Sequence, residues 1–153
     1  MNILNSFLIT FICCSSILFS GKDLKRSDSV DDNNVKITVE GVRSKKGKLI
    51  LAIFKDDQGF RDKKPIKRVK LLKTNENRYE LEINLEPGIY GFSILDDENN
   101  NDAMDYNFIG KPKEGFGFSN YYHKGFSKPH FDKFKFEIID NNMKLIDIQL
   151  RYM

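Results

Sequence analysis

From Val35 the chain alternates. Val35, Ile37 and Val39 are apolar, and Lys36, Thr38 and Glu40 between them are polar. Period two puts successive side chains on opposite faces, so this segment reads as a half-buried strand. Ser44–Gly47 is a turn, and the apolar run from Lys48 to Lys55 (KLILAIFK) suits a central strand. The two together predict a hairpin. Ile66–Lys73 is either a strand or a short helical turn, and its lysines suit an exposed sheet edge. After a turn at Thr74–Asn77, Tyr79, Leu81, Ile83 and Leu85 alternate with Glu80, Glu82 and Asn84. Pro87-Gly88 breaks that strand and Ile89–Leu95 forms the next. A strand with Phe131, Phe134 and Phe136 follows much later. A turn at Asp140–Asn142 then leads, as a hairpin, into a last strand carrying Leu145, Ile148 and Leu150.

About seven strands, regular turn signals and no amphipathic helix predict an all-β chain. The expected architecture is a single antiparallel β-sandwich, an immunoglobulin-like or transthyretin-like Greek key. Tyr90, just after Pro87-Gly88, is placed for a tyrosine corner, its phenol bonding back to the backbone; the alternative is a plain core aromatic.

Composition changes the picture at the N-terminus. Met1–Ser20 carries no charged side chain and is rich in Ile, Leu and Phe, and the chain turns polar at Gly21. That is the pattern of an export signal peptide, or of an uncleaved anchor. The expected organisation is a signal segment over 1–20, a flexible leader over 21–34 and the sandwich over 35–153. The expected location is the periplasm, cell envelope or exterior. Cys13 and Cys14 both lie in the first segment. A cleaved chain therefore has no disulfide, thiol nucleophile or cysteine zinc site, and no membrane span. A chain of 153 residues is one domain. Its net charge of +3, with acids and bases mixed, does not suit a nucleic-acid binder.

One connection is too long to be only a connection. Asp96–Pro129 far exceeds the roughly 12–15 residues of ordinary loops and is full of aromatics, so it is expected to be ordered. In its first half Asp97, Asn99, Asn101 and Asp105 fall at alternate positions of a calcium-loop pattern, with Ala103 offering its carbonyl. Hard cations take oxygen ligands, and such spacing converges oxygens on one ion. Asp102 stands where glycine is usual and Phe108 where the last carboxylate is usual. With two certain carboxylates the site is a weak one, and the alternative is a set of Asx-turns.

The second half offers a binding surface of Glu114, Phe116, Phe118, Asn120, Tyr121 and Tyr122. Flanking glycines let the backbone bend, and the rings suit carbohydrate or an apolar peptide side chain. The blander alternative is that Phe116 and Phe118 plug the open end of the sandwich. For catalysis the residues are few. Glu114 and His123 would serve a hydrolase, without a nucleophile elbow or an oxyanion loop to support them. Arg61–Lys73 is basic, and reads as a surface for anionic lipid, polysaccharide or an envelope protein, or as a solvated edge.

These residues also carry a resemblance. Pro87, Gly88 and Tyr90 precede Asp97–Asp105. Then come Asn107, Gly110, Pro112, Glu114, Gly115, Phe116, Gly117, Phe118, Ser119 and Asn120. This order resembles a family of small exported bacterial proteins classed as a domain of unknown function, over Val35 to Tyr152. The resemblance implies an exported β-sandwich and no activity. The chain departs from the usual pattern at Asp96, often His, and at Asp102, usually Gly. The combined expectation is an exported structural or binding module with a calcium-stabilised loop. The alternatives are a hydrolase using the Glu114/His123 region and an envelope interaction module.

Overall fold

The computed structural model describes residues 34–139 and 142–153. The expected signal segment and the leader up to residue 33 lie outside the described residues. Among the described residues no helix is long and apolar enough to cross a membrane.

Among the described residues eight strands form two sheets. β1 (Val35–Glu40) lies between β4 (Arg78–Ile83) and β8 (Lys144–Gln149) in a three-stranded sheet. The second sheet runs β3 (Lys67–Leu72), β2 (Lys48–Phe54), β5 (Gly88–Asp97). The ten-residue β5 is long enough to serve two partners. Its first half pairs with β7 (Lys135–Ile138) and its second with β6 (Gly115–Phe118). All pairs are antiparallel except β1 with β8. One five-residue helix, α1 (Asp57–Arg61), and a 3-10 turn at Phe131–Lys133 complete the described elements.

The expected all-β sandwich is present, with eight strands among the described residues rather than about seven. Ile66–Lys73 contributes a strand. Two expected hairpins are absent. β1 and β2 lie in different sheets, and so do β7 and β8. The physical reason is that alternation reports which face is buried, and not which sheet a strand joins. Val35, Ile37 and Val39 of β1 and Leu49, Leu51 and Ile53 of β2 are all fully buried in one shared core. Strands facing each other across a core carry the same pattern as strands side by side. Each such side chain contributes about 1.5–3 kcal/mol by burial.

The crossing from β1 to β2 depends on Gly47. Its φ is +73°, and a Cβ there would lie 1.9 Å from the Asp97 carbonyl oxygen. No other residue allows that approach. At the other corner Tyr90 donates its hydroxyl to the Glu86 carbonyl at 3.0 Å, which is the expected tyrosine corner.

A second apolar cluster covers part of the outer face of the five-stranded sheet. Asp56 caps α1 by accepting the Gly59 N–H at 2.7 Å. That fixes Phe60 against Phe54, Phe118 and Phe134 with ring centroids 4.8–5.9 Å apart.

Candidate ligand-binding groove

The groove follows from sheet register. On the outer face β2 presents Ile50, Ala52 and Phe54, because Leu49, Leu51 and Ile53 face the core. β5 presents Ser93 and Leu95, and β6 presents Phe116 and Phe118. Pairing sets Ile50, Leu95 and Phe116 in one row and Ala52, Ser93 and Phe118 in the next. The second row holds two small neighbours, Ala52 and Ser93, with large side chains on either side. A depression results. The chain after β5 (Asp102–Pro112) and the segment His123–Pro129 wall it, with Phe60 at one end. The groove has a volume of about 410 Å³, within the roughly 300–1,000 Å³ typical of small-molecule sites.

The lining is mainly aliphatic and aromatic, and Met104, Pro112 and Met153 contribute to it. Its charged side chains are Lys63, Arg68, Lys128 and Asp102. Asp102 is held by Lys48 at 2.9 Å and Lys70 at 2.8 Å. Those two ammoniums bring its carboxyl down to about 2. Lys128 donates to the carbonyls of Phe60 and Arg61 at the end of α1, and sits 4.0 Å from the centre of the Phe60 ring. Burial pushes its ammonium below the usual lysine range, and the neighbouring charges of Lys63 and Arg61 add to that. His123 also lines the groove. Its Nε2 lies 2.6 Å from the Ser127 carbonyl, and its buried Nδ1 has no hydrogen-bond partner among the described residues.

The acidic loop is tightly wound. Asn100 and Asp102 both have φ of +63°, so Asp102 adopts the conformation for which glycine is usual. Asp97 is fully buried; its carboxylate accepts the N–H groups of Asn101 (3.0 Å) and Asp102 (2.9 Å). It also pairs with Lys48 at 3.1 Å. Asn99 and Asn101 donate their side-chain amides to Asp105 at 2.6 and 3.2 Å. The Asn101 side-chain oxygen accepts the Ala103 N–H at 2.9 Å. Of the groups expected to hold calcium, the Asn99, Asn101 and Asp105 side chains thus bond to one another, and Asp97 bonds to the loop backbone. Among the described residues no group of three or more His, Cys, Asp or Glu side chains is arranged to hold a metal.

Asp96 is also fully buried. Its carboxylate binds the equally buried Lys73 ammonium and accepts the Tyr152 hydroxyl at 2.6 Å. Burial, then that hydrogen bond, lifts the Tyr152 phenol well above its usual range. A carboxylate at this position answers the charge of Lys73, which a neutral imidazole would not.

The run from Glu114 to Asn120 ties the structure together. Glu114 is buried and accepts the N–H groups of Glu98 (3.0 Å) and Asp105 (3.1 Å), closing the acidic loop. A Cβ on Gly117 would lie 2.6 Å from Ile148 Cγ2, so β6 meets β8 only through glycine. Ser119 accepts the Phe92 N–H at 2.9 Å and donates to the Phe134 carbonyl at 2.6 Å. Asn120, at φ +50°, exchanges hydrogen bonds with the Asp147 backbone. Of the six residues expected to bind a ligand, Phe116 and Phe118 line the groove. Tyr121 packs on the phenylalanine cluster, and Tyr122 is about half exposed outside the groove lining. Glu114 and His123 are not joined by any hydrogen bond among the described residues, and only His123 lines the groove. Sequence reading missed Ala52, Ser93 and Lys128, whereas Lys63 and Arg68 fall within the basic run Arg61–Lys73 that it read as a surface for an anionic partner or as a solvated edge. The available signal was Ala52, the one small residue in an otherwise large apolar strand.

A family model described as an uncharacterized protein conserved in bacteria (DUF2141) matches residues 37–146. No curated protein and no solved structure matches the chain.

Proposed function

The chain belongs to that bacterial family, and from its geometry we propose that it is a binding module whose site is the outer-face groove. The observation that carries this reading is the in-register pair Ala52 and Ser93, which opens a cavity of about 410 Å³ on a sheet face otherwise covered by large side chains. A sandwich needs only its inner face for stability. A second apolar surface that is walled and left open is therefore available to a ligand. The floor offers one hydroxyl, Ser93, against several aliphatic side chains, and this favours an apolar chain over a sugar ring.

The test is fluorescence titration with the neutral apolar probe N-phenyl-1-naphthylamine. Saturable binding at one site is expected. Ser93→Leu, which fills the floor without touching the inter-sheet core, should abolish it while the thermal midpoint holds. Unchanged binding in Ser93→Leu, or none in the native protein, would end this reading.

The apolar, uncharged Met1–Ser20 supports export. Mass measurement of the chain recovered from the cell envelope or medium should give a species beginning at Gly21 or one retaining the segment as an anchor. Recovery only from the cytoplasm would contradict export.

A further inference from the structure

We infer that the groove takes a single-chain amphiphile with an anionic head group, such as a long-chain carboxylate, its head held by Lys63, Arg68 and Lys128. This rests on the groove being a binding site and adds what it binds. The charges on the lining are unequal. Its one carboxylate, Asp102, is already engaged by Lys48 and Lys70. Lys63, Arg68 and Lys128 have no carboxylate within ion-pair distance among the described residues. Lys128 is held in place by carbonyls and a ring face, which fix its position and leave its charge uncompensated. Asp57 and Asp62 act on it only at longer range, and Lys63 and Arg61 oppose them.

The cations also sit where a head group would be. Arg68 is the register partner of Ala52, at the edge of the small-residue row. Lys63 and Lys128 lie at the α1 end, where both bond to the Phe60 carbonyl, Lys63 through its backbone N–H and Lys128 through its ammonium. From there the apolar floor continues along Ile50 and Leu95 towards the acidic loop. An apolar body with one anionic end matches both features. A cationic head group at these residues would meet like charge, and a neutral one would leave the cations unanswered.

Competition against bound N-phenyl-1-naphthylamine separates the possibilities. Dodecanoate, dodecanol and dodecyltrimethylammonium would each be titrated below their micellar concentrations. Dodecanoate is expected to displace the probe at a concentration at least about tenfold lower than dodecanol, with the ammonium weakest. In Lys63→Gln/Arg68→Gln the advantage of dodecanoate should shrink several-fold, with dodecanol unchanged; both positions are exposed, so the fold is kept. Equal displacement by dodecanoate and dodecanol would overturn the anionic head group and leave the groove reading standing. Failure of the probe itself to bind would remove both.

Discussion

Glu114 shows how a conspicuous acid comes to be structural. Its two oxygens each accept a backbone N–H, from Glu98 and from Asp105, sixteen and nine residues away. Those donors are the two ends of the acidic loop, and a buried N–H left without an acceptor costs about 1–3 kcal/mol. Glu114→Gln keeps the shape and replaces one acceptor with an NH2 group. Urea unfolding should show a loss of about 1–3 kcal/mol, with probe binding in the groove unchanged. Lost probe binding at full stability would make Glu114 a ligand contact instead. Asp96 and Lys73 follow the same logic more severely, since both are fully buried and removing either leaves an uncompensated charge.

At the scale of elements, the acidic loop is held by lysines from β2 and β3. Lys48 bridges Asp97 and Asp102, and Lys70 adds a second contact to Asp102. We propose that these ammoniums supply the positive charge that calcium would otherwise supply. A ligand at about 100 times its dissociation constant adds roughly 2.7 kcal/mol, which is several degrees in a domain this size. The native midpoint is expected to move by less than about 1 °C between millimolar calcium and excess chelator. Lys48→Met, which frees Asp97, should gain a calcium response. A rise of several degrees in the native protein, lost in Asp97→Ala, would show the loop to be ion-pinned.

The same contacts fix a pH dependence. Asp102 titrates near 2 when folded, against an ordinary 3.8. Its folded pKa is depressed, so its contribution is complete above the ordinary value and is lost as pH falls from about 4 through 2. Carbon-detected NMR titration should place the Asp102 carboxyl near 2 and show the loop loosening over that interval. An ordinary pKa for Asp102 would mean that the lysine contacts do not persist in solution.

For the whole molecule, legibility depended on whether a feature was local. The strands of β1 and β4 were plain because alternation is a property of consecutive residues, and β5 because Pro87-Gly88 marks its start. The tyrosine corner at Tyr90 was legible because its partner, Glu86, lies four residues away. Sheet assignment was not, since β1 pairs with β8 across the length of the chain and nothing in either segment names the other. The groove was less legible still. It arises because Ala52 and Ser93, each unremarkable in its own strand, become neighbours only through register. The cations that edge it come from the segment after α1, from β3 and from the stretch before β7. The run from Glu114 to Asn120 was visible as a unit, but its residues are spread over several tasks. Glycine admits β8, serine and asparagine bond to backbone, and the two phenylalanines face the groove.

The most direct measurement is amide chemical-shift mapping of residues 21–153 during titration with dodecanoate. The largest changes are expected at Ala52, Ser93, Leu95, Phe116 and Phe118, with a second set at Lys63, Arg68 and Lys128. Changes confined to the 97–105 loop, or to the exposed Phe108 and Ile109 beyond it, would place binding elsewhere and contradict the groove.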